Sequence, residues 1–282
     1  MFSLPKPDDD AGLVFDLCIS KVRSAATKAD LESIRPIIVQ AAADYDAAGI
    51  ARQLHAVPET DLLGDVVSRE EMVKVYENRM VGSSAPGRMV YHKLRGSSPN
   101  RRCPYCNQRS VNTLDHYLPK QKHSALTVTP INLVPSCTDC NKDKLAGGAG
   151  TAEETYLHPY FDDVSMFPWL QAEVIEGSPV AVRFYTVAPA GCDAVLAARI
   201  AFQFRTLRLA ELYSSQAADE FSGRQKRLAK LLDIGGAPEV RAYIDEEYQS
   251  QVDNDANSWR SACYAAWLAS DWFCEGGLRE VG

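Results

Sequence analysis

The sequence has no run of eighteen consecutive apolar residues, which excludes a conventional membrane-spanning helix. Its opening, Met-Phe-Ser-Leu-Pro-Lys-Pro-Asp-Asp-Asp, lacks both the basic start and the apolar stretch of a secretory leader, so a cytoplasmic protein with no membrane partner is expected. There is no internal repeat, heptad run or low-complexity segment, which argues against a solenoid, a coiled coil or a disordered tail. What is present is ordinary globular composition: 282 residues, 46% hydrophobic and 24% charged, enough for one large domain or two modest ones.

The net charge of -7 would by itself argue against a nucleic-acid partner, because cations supply most non-specific affinity for phosphate. Its distribution argues the other way. Residues 88–145 hold ten Lys or Arg against three acids, a charge of +7 that leaves -14 on the rest of the chain. Such a run suits a protein that grips a backbone at one place and stays soluble elsewhere, although a solvated basic face would look the same.

Apolar spacing over residues 11–56 predicts two or three helices, with Lys28-Ala-Asp30 as a helix start. Ser68-Arg-Glu-Glu71 fits a capping box opening a helix to about Val81, and 88–94 reads as one more short helix. Residues 103–106 form a tight turn and 110–117 a strand. Residues 132–136 read as an ordered loop, with a helix from Thr138 and glycine-rich chain over 147–150. Two short strands are expected within 172–187, then helix over 192–232, closed by Gly235-Gly-Ala-Pro238, and two further helices over 240–272.

Of the eight cysteines, Cys18, Cys192, Cys263 and Cys274 are scattered and read as small buried hydrophobes. The other four form two pairs, Cys103-Pro-Tyr-Cys106 and Cys137-Thr-Asp-Cys140. Four thiolates complete a tetrahedral structural Zn²⁺ and leave no open position for chemistry, so this ion would act as a clamp. Between the pairs lie Asp115-His116 and Asn132-Leu133, and Asn141 follows the last cysteine. These are residue types that bind a hard cation and activate water. About 45 residues cannot bury enough surface to be stable alone, so zinc and the flanking helices must both support the segment.

The pattern Cys103-x2-Cys106, Asp115-His116-x2-Pro119, Asn132-Leu133-x3-Cys137-x2-Cys140-Asn141-x2-Lys144 resembles the core of the HNH (ββα-metal) nuclease family in its zinc-bearing form, over about residues 100–146. The resemblance implies a mainly α protein with a central zinc-stabilised ββα-metal unit and a short β segment after it. The parts would be a helical region at 1–99, the nuclease unit at 100–150, and a β segment with helices at 151–282.

The same resemblance implies phosphodiester hydrolysis, with DNA favoured as substrate and RNA left open. His116 would be the general base, and Asp115 and Asn141 would hold one Mg²⁺ or Mn²⁺. Asn132 would tie the loop to backbone groups and orient the base. The position of Asn141 is often His in that family; the bland alternative is a helix cap after Cys140. Lys120, Lys122, Lys142 and Lys144 are the expected phosphate contacts, each otherwise an ordinary surface lysine. His123 stays unassigned, and His158 is expected to pack its loop back on the motif. A further likeness, to HNH proteins encoded beside ATPases in prokaryotic anti-phage defence systems, would add an ATPase or sensor partner. The competing class is a non-catalytic zinc-dependent module that binds nucleic acid or protein.

Overall fold

The computed structural model describes residues 1–146 and 150–279. Its helices begin where the chain offers a cap. In α1 (Ala11–Ile19) the Asp10 carboxylate accepts from the Leu13 N–H at 2.8 Å, and in α2 (Ala25–Ser33) the Ser24 hydroxyl accepts from Thr27. The helix start expected at Lys28-Ala-Asp30 is thereby corrected: those residues lie inside α2, because Ser24 supplies the capping oxygen earlier. α3 (Arg35–Ile50) carries Pro36 in its first turn, where a missing N–H would have had no helical partner.

A two-residue hairpin, β1 (Leu62–Leu63) with β2 (Val67–Ser68), leads into α4 (Arg69–Lys74). Ser68 Oγ accepts from Glu71 N at 3.3 Å, one leg of the expected capping box. The chain then widens into a π-helical turn, Val75–Val81, before α5 (Arg88–Gly96).

β3 (Thr113–His116) pairs antiparallel with β4 (Leu133–Ser136), setting Asp115 opposite Val134 and His116 opposite Leu133. α6 (Thr138–Ala146) follows directly, so the order is ββα. The loop expected over 132–136 is corrected to a strand from Leu133. All four of its residues are buried, and pairing with β3 satisfies backbone groups that an irregular loop would leave unbonded there. The strand expected over 110–117 narrows to 113–116. Most of the glycine-rich close of the segment, at 147–149, lies outside the described residues.

The chain divides into two compact units, Phe2–Asp163 and Val164–Gly282, the latter together with Met1. In the first, Phe15, Ile34, Ile38, Met72 and Met80 of the helical part share one buried cluster with Leu114 of β3 and Leu133 of β4. The hairpin therefore has no core of its own. In the second unit, β5 (Leu170–Ile175) pairs with β6 (Ala181–Thr186), followed by α7 (Ala194–Thr206), α8 (Leu209–Asn254), α9 (Trp259–Ala269) and α10 (Asp271–Glu275). Gly235-Gly-Ala-Pro238 breaks α8 into two helical stretches, as expected. Gly236 takes φ 71° and ψ -161°, which only glycine adopts readily, and Pro238 has no N–H to donate. Buried Asn257 fixes the approach to β5 by accepting from Trp169 N at 3.0 Å and donating to the Phe167 carbonyl at 2.7 Å. Cys18, Cys263 and Cys274 are buried as expected, whereas Cys192 is half-buried.

The described helices include none long and apolar enough to cross a membrane. Because Leu114 joins β3 to the helical core, Leu114→Ala should lower unfolding free energy by about 2–5 kcal/mol, measured by urea denaturation.

Candidate active site

Two turns and a helix start bring the four motif cysteines together. Cys103 and Cys106 lie in the turn before β3, Cys137 directly follows β4, and Cys140 sits in the first turn of α6. Their sulfur atoms all lie within 4.8 Å of one another, and all four residues are buried. A Zn–S length of about 2.3 Å in a tetrahedron requires sulfurs roughly 3.8 Å apart, so the cluster is compatible with a structural zinc. Backbone N–H groups of Arg109 and Cys140 point at the sulfurs of Cys106 and Cys137, each at 3.4 Å, contacts that favour thiolate over thiol.

The clamp ties β3 to α6, and that sets the surroundings of Asp115. This carboxylate is 2% exposed; its Oδ2 accepts from the Tyr105 hydroxyl at 2.8 Å and pairs with Lys144 Nζ at 2.7 Å. The Lys144 ammonium sits 4.5 Å from the Tyr117 ring centroid and 5.1 Å from those of Tyr105 and Tyr156. A lysine expected at the surface thus lies in an aromatic box, where only a partner charge makes its burial tolerable. Asp115 Oδ1 has no hydrogen-bond partner among the described residues.

His116, the next residue of β3, meets different neighbours. Its Nε2 lies 2.8 Å from the Thr127 carbonyl oxygen, and its ring meets Tyr76 edge-on at 4.4 Å. A carbonyl only accepts, so Nε2 carries the proton and Nδ1 keeps the lone pair. Desolvation pushes the His116 pKa down to about 4, against the upward pull of the Thr127 carbonyl. Although Asp115 and His116 contact different neighbours, both line one cavity of about 570 Å³ at the strand end, shared with Lys144, Lys122, His123 and His55.

Asn132 is fully buried and makes three bonds to main chain. Oδ1 accepts from Leu118 N at 2.8 Å, while Nδ2 donates to the carbonyls of Leu118 at 3.0 Å and Leu126 at 3.2 Å. It therefore pins both ends of the 118–126 loop, which carries the chain to the Thr127 carbonyl that holds His116. Asn141 lies on α6 one turn before Lys144, half-buried, with no side-chain hydrogen bond among the described residues and outside the lining of the cavity. Lys120 pairs with Glu77 at 2.9 Å and Lys122 with Glu59 at 2.8 Å, while Lys142 is exposed without an ion pair among the described residues. His123 lines the cavity beside the Pro58 carbonyl, and burial pushes its pKa down. Buried His158 packs against Tyr117 with ring centroids 4.2 Å apart and bonds the Tyr45 hydroxyl at 2.8 Å.

Half of the ten cations in the basic run of 88–145 meet carboxylates, while Arg88, Arg95, Arg101, Arg102 and Lys142 have no ion pair among the described residues. Lys93 faces Asp8 and Asp9, Arg109 faces Asp139, and Lys120, Lys122 and Lys144 are paired as described. Most of these acids come from earlier in the chain, where counting along the sequence cannot find them. Other participants also escape the motif. His55 reaches the cavity, its Nδ1 buried without a partner among the described residues, and no local signal marks it. Tyr105, by contrast, lies between the two cysteines of the first pair, and the fixed turn around it was a usable clue.

No family model matches the chain, and no solved structure matches it. Over 173 residues, 60% of the chain, it is 31% identical to Protein ea31 of Escherichia phage lambda, and the match spans 58% of that protein's length. The chain is thus a distant homologue of the phage protein over that stretch.

Elemental analysis of freshly purified protein should find about one zinc per chain. A Cys137→Ser, Cys140→Ser double variant should lose it together with cooperative unfolding of the first unit, followed by hydrogen exchange over 103–146. His116 also makes stability depend on pH. The unfolded chain takes up its proton near 6.5 and the folded chain only near 4, so stability held above pH 6.5 is lost progressively as pH falls towards 4. Thermal melts of the wild type and His116→Gln across that range should show a steeper acid loss in the wild type.

Proposed function

We propose that this protein is an endonuclease that hydrolyses nucleic-acid phosphodiester bonds, DNA being the favoured substrate, with His116 as general base. The observation that carries the proposal is the 2.8 Å contact of His116 Nε2 with the Thr127 carbonyl. It selects the tautomer whose free nitrogen, Nδ1, can accept a proton. A pKa near 4 keeps that nitrogen unprotonated at neutral pH. The imidazole stands at a cavity rather than within a sealed core, and the Asn132-pinned loop holds its orienting carbonyl in place.

In this mechanism Nδ1 of His116 takes a proton from water as the water oxygen bonds to phosphorus. The P–O3′ bond breaks in line, leaving a 5′-phosphate and a 3′-oxyanion that takes a proton from solvent water. Asp115 Oδ1 is the hard donor at the cavity that would help hold one Mg²⁺ or Mn²⁺, while Asn141, the second expected donor, lies outside the cavity lining. Bound there, the ion would stabilise charge on the phosphate and leaving oxygen. Tyr105 and Lys144 hold the Asp115 carboxylate in one position.

One observation favours the competing reading, a zinc-dependent binding module. The Lys144 ammonium already balances Asp115 at 2.7 Å, so the carboxylate needs no metal for neutrality. The two readings separate on plasmid DNA, single strands and RNA incubated with the purified chain in Mg²⁺ or Mn²⁺. Nuclease activity should be abolished by mild chelation, restored by the added cation, and reduced by about 10²- to 10⁴-fold in His116→Ala. Binding that survives chelation with no cleavage of any substrate would leave the binding module; cleavage by His116→Ala at the wild-type rate would remove His116 from the mechanism.

A further inference from the structure

A second cavity of the Phe2–Asp163 unit, about 940 Å³, lies between the α1–α2 connection and the π-helical turn. Its lining includes Lys21, Arg23, Lys74 and Arg79 against one acid, Glu71. Four cations against one acid stand in contrast to the chain's total of -7. Only Lys74 meets Glu71, at 3.5 Å. Lys21, Arg23 and Arg79 have no carboxylate within ion-pair distance among the described residues. Arg79 instead donates to the Lys21 carbonyl at 3.1 Å, which ties the loop carrying two of the cations to the π-helical turn. The first turn of α2 adds N–H groups without helical partners, with Ser24 as its cap.

Unpaired cations held together in one concavity repel one another, and a polyanion relieves that repulsion. The lining contains no aromatic ring, so nothing there can stack on a base. It suits contacts to phosphates, which are indifferent to sequence. The position relative to the candidate site supports the same occupant. Val75, Asn78 and Arg79 line this cleft, while Tyr76 of the same turn meets the His116 ring at 4.4 Å. The two sites therefore lie on the two sides of one π-helical turn.

We infer that the cleft of Lys21, Arg23, Lys74 and Arg79 is a second contact for the nucleic-acid backbone, gripping the substrate away from the bond at His116. This deepens the nuclease reading and rests on it for the identity of the occupant.

The test is binding of a fluorescent 30-base-pair duplex, and of an RNA duplex of the same sequence, to the full chain carrying His116→Ala. Anisotropy is followed from low to high salt. Lys21, Arg23 and Lys74 are all exposed, so neutralising the three to alanine should leave the fold intact, checked by an unchanged thermal midpoint. Affinity at physiological salt should fall at least tenfold, and the slope of log K against log salt should shrink by about 0.9 for each phosphate no longer neutralised. The charge-keeping variant Lys21→Arg, Arg23→Lys, Lys74→Arg should retain both. An unchanged affinity and slope in the triple alanine variant would overturn the cleft while leaving the nuclease reading intact. A shallower slope in the triple alanine variant, together with a wild-type chain that cuts no substrate, would support the cleft and remove the nuclease reading, and no binding by the parent chain would overturn both.

Discussion

Four buried thiols drawn to within 4.8 Å of one another are the constraint on which the rest of the first unit depends. They join the turn before β3 to the start of α6, two places about thirty residues apart in the chain, and so decide how a strand and a helix face each other. A segment this short could not hold that arrangement by burial alone. Even with the clamp, its apolar side chains complete their burial only against the helices, as Leu114 and Leu133 do in the cluster of Phe15, Ile34 and Ile38.

Once β3 and α6 are fixed, Asp115 and Lys144 have little choice. A carboxylate 2% exposed cannot remain ionised without a partner, and the ammonium 2.7 Å away, surrounded by three tyrosine rings, supplies one. This pair is best understood as orienting rather than stabilising, since a well-packed apolar pair of the same volume could be as stable. On the neighbouring residue the same strand presents an imidazole with one nitrogen committed to a carbonyl and the other spare. The site thus sets a carboxylate paired with a buried ammonium beside an imidazole kept neutral by desolvation.

Much of the local structure was legible along the chain. The capping hydroxyl of Ser68, the turn at the first cysteine pair, the helix after Thr138 and the β hairpin around 176–179 follow from short-range rules, and each element is present. The misreadings share one cause. Residues 132–136 look like a loop until β3 is placed beside them, and Lys28-Ala-Asp30 looks like a helix start until Ser24 is seen to have capped the helix already.

By itself, the sequence determined which residues could do chemistry: two cysteine pairs, an Asp-His doublet and two asparagines have side chains whose reactivity does not depend on the fold. Only the tertiary structure decided what each one faces. Lys144 is a surface cation by every local criterion and becomes the buried partner of Asp115. Lys93, Lys120 and Lys122 of the positive run are answered by acids from the N-terminal part of the chain, and Lys21, Arg23 and Arg79 gather in one cleft without carboxylate partners among the described residues. The reason is that charge, desolvation and hydrogen bonding act through space over a few ångströms, and the neighbours that set them are tens of residues away in the chain.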